Sequence, residues 1–298
     1  MTHHVEKLAL LTAFLYLGCA SSSPGAGTSL PLPAPVPETA PQASTTPIRT
    51  GSSWKITPTS QPQAYSTLLT TLVTETGGPG PRRQDSLTTR ANYSISTTRT
   101  ADSLSFTGSI TSFSVQGSAS EMSEAQPMFP IFFTGTLRNH GITTQRSDAS
   151  VTGSNLCSDI DQASLRIVQH NLIPVPFELT DQQIWTDSTS SIICSGTLPL
   201  TLTSVRTFQI MGESEFEGSP ALVIEQNERT FSRGEGSQGQ HRIFMETQGL
   251  TNGRLYIDRS SGLLLAANLT NKLSLAIQSS GRTQHFTQIS TETTQRIR

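Results

Sequence analysis

The sequence predicts a mainly β protein: a large antiparallel meander sheet with one helix at about residues 159–170. Three observations indicate this fold class. Stretches of alternating apolar and polar residues recur from about residue 50, with the period of two that a half-buried strand requires. Serine and threonine make up more than a quarter of the chain, and threonine recurs inside these stretches, where its β-branch suits a pleated strand. The connections are short, which favours pairing between neighbouring strands over parallel crossovers.

The first half of the sheet is predicted from five alternating segments. The segments are residues 65–74, 87–97, 104–115, 131–137 and 142–145. In the third of them the apolar parity changes between Ile110 and Phe113, which predicts a β-bulge near Thr111. The last two flank Asn139-His140-Gly141, a sequence typical of a hairpin turn.

The single helix follows at about residues 159–170. Ser158 and Asp161 have the spacing of a capping box, with aspartate in place of the usual glutamate or glutamine. One helical face collects the apolar residues Ile160, Ala163, Ile167 and Val168. Pro174 and Pro176 come directly afterwards and predict an extended crossing, because proline fixes φ and cannot continue a helix.

Strands resume near residue 184. They are predicted at 192–194, 198–211, 221–226, 229–233, 240–248, 254–258, 263–270, 273–278 and 282–291. Turn chemistry marks several of the joints: Asn252-Gly253, Ser261-Gly262 and Ser280-Gly281. Tryptophans open both runs of strands, so residues 51–298 form either one β-rich domain or two β-subdomains, 51–150 and 180–298.

The amino terminus predicts a signal peptide over residues 1–18. Residues 8–17 are mostly apolar, too few to span a bilayer but long enough for a signal-peptide core. The end of this run, together with the next two residues, reads Tyr16-Leu17-Gly18-Cys19. This sequence resembles the bacterial lipobox, with Tyr16 in place of the customary leucine. The resemblance implies that Cys19 is lipidated with a diacylglyceryl group and becomes the first mature residue. The alternative is an ordinary secretory leader with an incidental cysteine.

Residues 19–50 are predicted to form a disordered tether. They are rich in proline, serine and alanine, almost uncharged, and without an apolar period. Fully extended, such a segment would reach on the order of 90 Å. By resemblance to bacterial lipoprotein sorting, Ala20 and Ser21 lack the aspartate that retains lipoproteins at the inner membrane. We therefore expect a lipid-anchored envelope protein at the outer membrane, with the membrane as partner through Cys19.

The remaining cysteines, Cys157 and Cys194, are predicted to form a disulfide. In an exported chain two remaining thiols favour a disulfide bridge. Closing the loop of roughly 38 residues between them would stabilise the fold by about 4 kcal/mol. Two buried free thiols or a metal site are the alternatives, although no His/Cys pair has metal-ligand spacing.

Composition and motifs argue against several classes of function. The net charge is −2 and the basic residues are scattered, so nucleic acid is not expected as a partner. The histidines are dispersed, and the sequence contains neither an HExxH motif nor a GxSxG elbow. The GEGSQG stretch at 234–239 lies between two strands and is interpreted as a hairpin tip. We therefore expect no catalytic residues, no metal and no cofactor.

In strand content, single helix and lipid anchor, residues 50–298 resemble the periplasmic lipoprotein-carrier fold (LolA/LolB-like). The resemblance implies a curved, half-barrel-like sheet with the helix across its concave face. Candidate lining residues would be Phe106, Phe129, Phe132, Phe133, Phe208 and Phe244. Three functions stay open: a structural or interaction lipoprotein that meets an envelope-protein partner, a carrier of a lipid or other apolar ligand, and an envelope enzyme.

Overall fold

The computed structural model describes most of the predicted β-rich domain. The described residues are 52–57, 59–76, 84–99, 104–117, 129–138, 141–146, 159–195, 198–238 and 241–297. The predicted signal peptide, the predicted tether with Cys19, and Cys157 lie outside these residues.

Within the described residues the chain forms thirteen strands and one helix. The elements are β1 (Ser53–Lys55), β2 (Gln63–Thr76), β3 (Gln84–Arg99), β4 (Leu104–Gly117), β5 (Ile131–Arg138), β6 (Gly141–Arg146), α1 (Asp159–Asn171), β7 (Glu178–Thr180), β8 (Ile184–Ser195), β9 (Leu198–Phe216), β10 (Ser219–Gln238), β11 (His241–Asp258), β12 (Leu264–Ser279) and β13 (Arg282–Ile297). The mainly β class and the helix are confirmed.

Eleven strands form one antiparallel sheet in the order β6-β5-β4-β3-β2-β13-β12-β11-β10-β9-β8. Two meanders, β2–β6 and β8–β13, are joined where β2 pairs with β13. Strands from 51–150 and from 180–298 therefore belong to one sheet. The sheet curls into a half-barrel, and its edge strands β6 and β8 approach each other without a backbone ladder between them.

A small second sheet and the proline-rich crossing lie at one end of the half-barrel. Strand β1 pairs with β7, and the indole of Trp54 donates to Glu213 Oε1 at 2.7 Å. The crossing, residues 172–177, leads from α1 into β7. The Ile56 amide donates to the Phe177 carbonyl at 2.8 Å, which fixes the crossing to the segment that follows β1.

The interior contains two apolar clusters with polar side chains between them. On β9, Phe208 belongs to the cluster beneath α1 and Leu200 to the second cluster, with Ser204 and Arg206 between them. The same order recurs on neighbouring strands. Buried inward-facing polar residues pair across the ladder as Thr67 with Thr294, Thr71 with Ser290, Ser232 with Thr247, and Asn271 with Thr251. These hydrogen bonds satisfy groups that would be expensive to bury unpaired.

Two local predictions have opposite outcomes. The bulge near Thr111 is confirmed: Asn92 lies opposite Ser112 and Tyr93 opposite Ile110, so Thr111 is the extra residue. The Asn252-Gly253 turn is wrong, because both residues lie inside β11 and pair with β10 and β12.

Glycine at position 253 reflects close backbone approach rather than a turn. A Cβ there would lie 2.0 Å from the carbonyl oxygen of Asn268. The predicted hairpin tip at 234–239 shows the same effect, since Gly234 lies within β10 and a Cβ there would lie 2.2 Å from the carbonyl oxygen of Pro199. At these two inward positions the neighbouring strand leaves no room for a side chain.

We expect Gly253→Ala to lower the free energy of unfolding by about 1–3 kcal/mol, because the new methyl group meets backbone that cannot move aside. Urea unfolding followed by far-UV circular dichroism measures this. The control is Asn252→Ala at the exposed neighbouring position, where we expect a change within about 0.5 kcal/mol. Equal effects of the two substitutions would contradict the close approach.

Candidate functional site

Two cavities lie on the concave side of the sheet and flank the end of α1. The first, which we call the apolar cavity, has a volume of about 300 Å³. It is lined by Ile56, Tyr65, Tyr93, Ile95, Thr97, Leu104, Asn171, Trp185, Thr186 and residues 172–177 and 261–264. The second, the charged cavity, has about 150 Å³ and is bordered by His170, Arg206, Glu228 and Glu292 together with Ser, Thr and Leu side chains.

Strand register builds the aromatic walls of the apolar cavity. Tyr65 on β2 lies directly opposite Tyr93 on β3, and their rings stack with centroids 5.4 Å apart. Trp185 on β8 lies opposite Phe208 on β9, with centroids 5.3 Å apart. Each pair is held by a backbone ladder on both strands, so these walls are rigid.

The apolar cavity is electrically neutral. None of the described residues that line it is Asp, Glu, Lys, Arg or His. Burial raises the pKa of Tyr65 and of Tyr93 well above the ordinary range, and nearby carboxylates add to this effect. Both hydroxyls therefore stay protonated at any pH the protein meets.

The charged cavity holds an ion cluster that sequence reasoning missed. His170, in the last turn of α1, lies between two carboxylates, with Nδ1 2.9 Å from Glu292 Oε2 and Nε2 3.3 Å from Glu228 Oε2. The two glutamates come from β13 and β10. The fold thus gathers three residues from separate elements whose spacing in the sequence gives no sign of a site.

Other side chains complete the hydrogen bonding of the two carboxylates. Ser204 donates to Glu228 Oε1, and Gln226 donates to Glu228 Oε2 at 3.4 Å. The Asn171 amide nitrogen donates to Glu292 Oε1 and to the Ile167 carbonyl, both at 2.9 Å. Buried charges persist only when paired and hydrogen-bonded in this way.

These contacts move the pKa values of the cluster away from neutrality. Burial alone would lower the pKa of His170, but the charges and hydrogen bonds of Glu292 and Glu228 outweigh it and raise the pKa to about 10. Burial would raise the pKa of Glu228, but His170 lowers it to about 2. The pKa of Glu292 is likewise lowered. All three groups stay charged near neutral pH, which suits holding α1 in place and does not suit acid–base catalysis.

Arg206 provides a second attachment for the end of α1. Its Nη1 donates to the carbonyl oxygens of His170 at 3.4 Å and Leu172 at 3.3 Å, groups that the helix end leaves without intrahelical partners. Its Nε and Nη2 donate to Asp187. Asp187 is a buried residue of β8 that neutralises Arg206.

The phenylalanines predicted to line the concave cavity take other roles. Phe106, Phe133 and Phe208 are buried core residues, and Phe129 packs against the same cluster. Phe132 is 51% exposed and Phe244 lies on the outward parity, because each alternates with inward-facing neighbours. None of the six lines either cavity. Tyrosine, tryptophan and the crossing segment supply the apolar lining instead.

Most of the residues predicted for lipidation and for the disulfide lie outside the described residues. Cys194 lies in β8, where its backbone pairs with that of Pro199. Its predicted partner Cys157 and the predicted lipidation site Cys19 lie outside the described residues. In the part of the chain that the structure describes, no group of His, Cys, Asp and Glu is arranged to hold a metal ion.

The outer face of the sheet carries exposed apolar side chains interspersed with charged ones. A row across the strands runs from Val205 to Arg229, Leu250, Lys272 and Ile289, each opposite the next in register. Apolar and basic residues alternate along this row, and exposed Phe231 lies diagonally between Val205 and Leu250 on the same face.

Comparisons with known proteins give no family. No protein-family model matches the chain, and no curated protein matches it. One similar solved structure is "Salmonella typhi OmpF complex with Daunomycin", with 7% identity over 78% of this chain and 97% of that chain and a TM-score of 0.23. A TM-score this low carries no argument about the chain. Among the described residues, no helix has the length and apolarity needed to cross a bilayer.

We expect His170→Gln to lower the free energy of unfolding by about 3–5 kcal/mol near pH 6, because it leaves two buried carboxylates without their cation. The exposed-site control, His285→Gln, should change little.

The pH dependence gives this prediction its signature. In the parent protein the His170 contribution is complete below about pH 6.5 and is lost as pH rises toward 10, while the Glu228 contribution is complete above about pH 4.5 and is lost as pH falls toward 2. The stability difference between parent and His170→Gln should therefore be largest between these limits and shrink on both sides. Urea unfolding at several pH values measures it, and a difference that does not vary with pH would contradict the charged cluster.

Proposed function

We propose that the protein is a membrane-anchored envelope lipoprotein whose half-barrel binds a small apolar ligand. The observation that carries this proposal is the apolar cavity: about 300 Å³ of space with an uncharged lining, between the crossing segment and the concave face of the sheet. Protein interiors seldom contain voids larger than a water molecule, whereas ligand pockets begin at about 300 Å³.

The surroundings of the cavity keep it open. Its walls include the stacked pair Tyr65–Tyr93 and the ring of Trp185, and its roof is the crossing that continues from α1. The end of α1 is held by His170 and by Arg206, so the roof does not settle onto the sheet. A preformed site of this kind binds without first ordering its walls.

The alternatives have less support. A structural or interaction role needs a docking surface, and the apolar residues of the described outer row are separated by Arg229 and Lys272. Acid–base catalysis needs groups that exchange protons near neutral pH, and the pKa values of the buried His170 cluster are far from neutral. We therefore place ligand binding first and an interaction role second.

We expect Val175→Trp to abolish binding of a small neutral fluorescent probe such as naphthalene, because the larger side chain fills the cavity that Val175 lines. Val205→Trp is the matched control, since Val205 is exposed on the outer face and its replacement should leave binding unchanged. Fluorescence titration measures both. Native mass spectrometry of gently purified protein should also show a stoichiometric apolar molecule in the control and none in Val175→Trp. Probe binding that survives in Val175→Trp would contradict the proposed site.

The anchor is tested separately. In a competent bacterial host, metabolic labelling with a fatty-acid probe should label the parent chain and fail to label Cys19→Ala. The double variant Cys157→Ala/Cys194→Ala, which keeps Cys19, should still be labelled. Labelling that persists without Cys19 would refute the lipidation site, and intact mass with and without reductant would show whether Cys157 and Cys194 are bridged.

A further inference from the structure

We propose that the ligand of the apolar cavity is an uncharged amphiphile: one apolar chain of roughly ten to twelve carbons that bears a neutral hydrogen-bonding group, such as a hydroxyl or an amide. This inference rests on the proposed function, because it names the chemical class of ligand for the same cavity.

The size of the chain follows from the volume. A cavity of about 150 Å³ in a protein core holds one benzene molecule, which has six carbon atoms. The apolar cavity has about 300 Å³ and therefore accommodates roughly twice as many carbon atoms. A diacyl lipid has far more carbon than this space admits. A single medium-length chain fits.

The absence of charge follows from the lining. A carboxylate or phosphate inside the cavity would leave water without meeting a cation, because none of the described lining residues is charged. The nearest buried cations are engaged: His170 by two carboxylates, and Arg206 by Asp187 and two carbonyl oxygens. Arg296 and Asp258 act on the pKa of Tyr65 with opposite signs, and burial outweighs both of them.

The neutral polar group follows from two residues of the cavity lining, Asn171 and Trp185. Asn171 is only 7% exposed, and its amide is fixed because Nδ2 donates to both Glu292 and Ile167. Its Oδ1 is buried and has no hydrogen-bond partner among the described residues, and the same is true of the Trp185 Nε1. One wall residue thus offers an acceptor and another a donor. A hydroxyl or an amide of the ligand can donate to the Asn171 oxygen and accept from the Trp185 nitrogen, whereas an ionised carboxylate can only accept.

Isothermal titration calorimetry of the full mature chain with three ligands of equal chain length tests the inference. Near pH 7.5 we expect 1-decanol and decanamide to bind and decanoate to bind at least about tenfold more weakly. Lowering the pH toward about 5 should strengthen decanoic acid binding, because the carboxyl group becomes protonated near that pH. Binding of 1-decanol should not change over this range.

The outcomes separate the inference from the proposed function. If decanoate binds as tightly as 1-decanol near pH 7.5 and Val175→Trp removes both, the cavity binds apolar chains but the uncharged class is wrong. If none of the three binds, or if Val175→Trp binds them as the parent does, the proposed site fails as well.

A matched pair of tryptophan variants tests the polar group. Trp185→Phe keeps an aromatic ring opposite Phe208 but removes the indole donor, and we expect about fivefold weaker binding of 1-decanol. Trp54→Phe removes an indole that already donates to Glu213 and does not line the cavity, so binding should be unchanged. Urea unfolding checks that both variants are folded. Equal affinities for 1-decanol in the two variants would overturn the assignment of a hydrogen bond at Trp185.

Discussion

The placement of α1 depends on one buried ion cluster, in which His170 lies between Glu228 and Glu292. Strands β10 and β13, which carry these glutamates, are separated in the sheet by β11 and β12. In a flat sheet the two strands would be roughly 14 Å apart. The curl of the sheet turns both carboxylates toward the same imidazole. The position of α1, the curvature of the sheet and the pairing of these charges therefore depend on one another. The cavities on either side of α1 result from this arrangement.

The interior is divided by polarity, and this division determines what each part can do. Charged and hydroxyl side chains occupy the middle of the half-barrel and are largely satisfied by one another. They stabilise the fold and leave little capacity for a ligand. Towards the β1–β7 end the lining becomes aromatic, aliphatic and neutral. Asn171 lies at the boundary, because its amide nitrogen serves Glu292 on one side while the residue also lines the apolar cavity on the other.

The sequence predicted what depends on local periodicity and missed what depends on distant contacts. Alternation predicted the strands, proline and the apolar face predicted the helix and its crossing, and a parity change predicted the bulge at Thr111. The turn predicted at Asn252-Gly253 was wrong because the local sequence does not distinguish a glycine that permits a turn from one that permits close approach of a neighbouring backbone. The ion cluster was beyond reach, since its members lie 58 and 122 residues from His170. The only indication of the ion cluster in the sequence is that charged residues such as Arg206 occupy strand positions whose alternation predicts an inward-facing side chain.

The pairing of β2 with β13 also bears on how the protein reaches its folded state. These neighbours are among the most distant strands in the chain: Tyr65 lies opposite Arg296. Each meander can form from contacts between consecutive hairpins, but the seam that unites them requires β13 to have been synthesised and, if the chain is exported, translocated. Until then both meanders present an open edge at the future seam, with unpaired backbone groups. The ion cluster has the same dependence, because Glu292 lies on β13. The seam between the meanders and the anchor of α1 therefore both depend on β13.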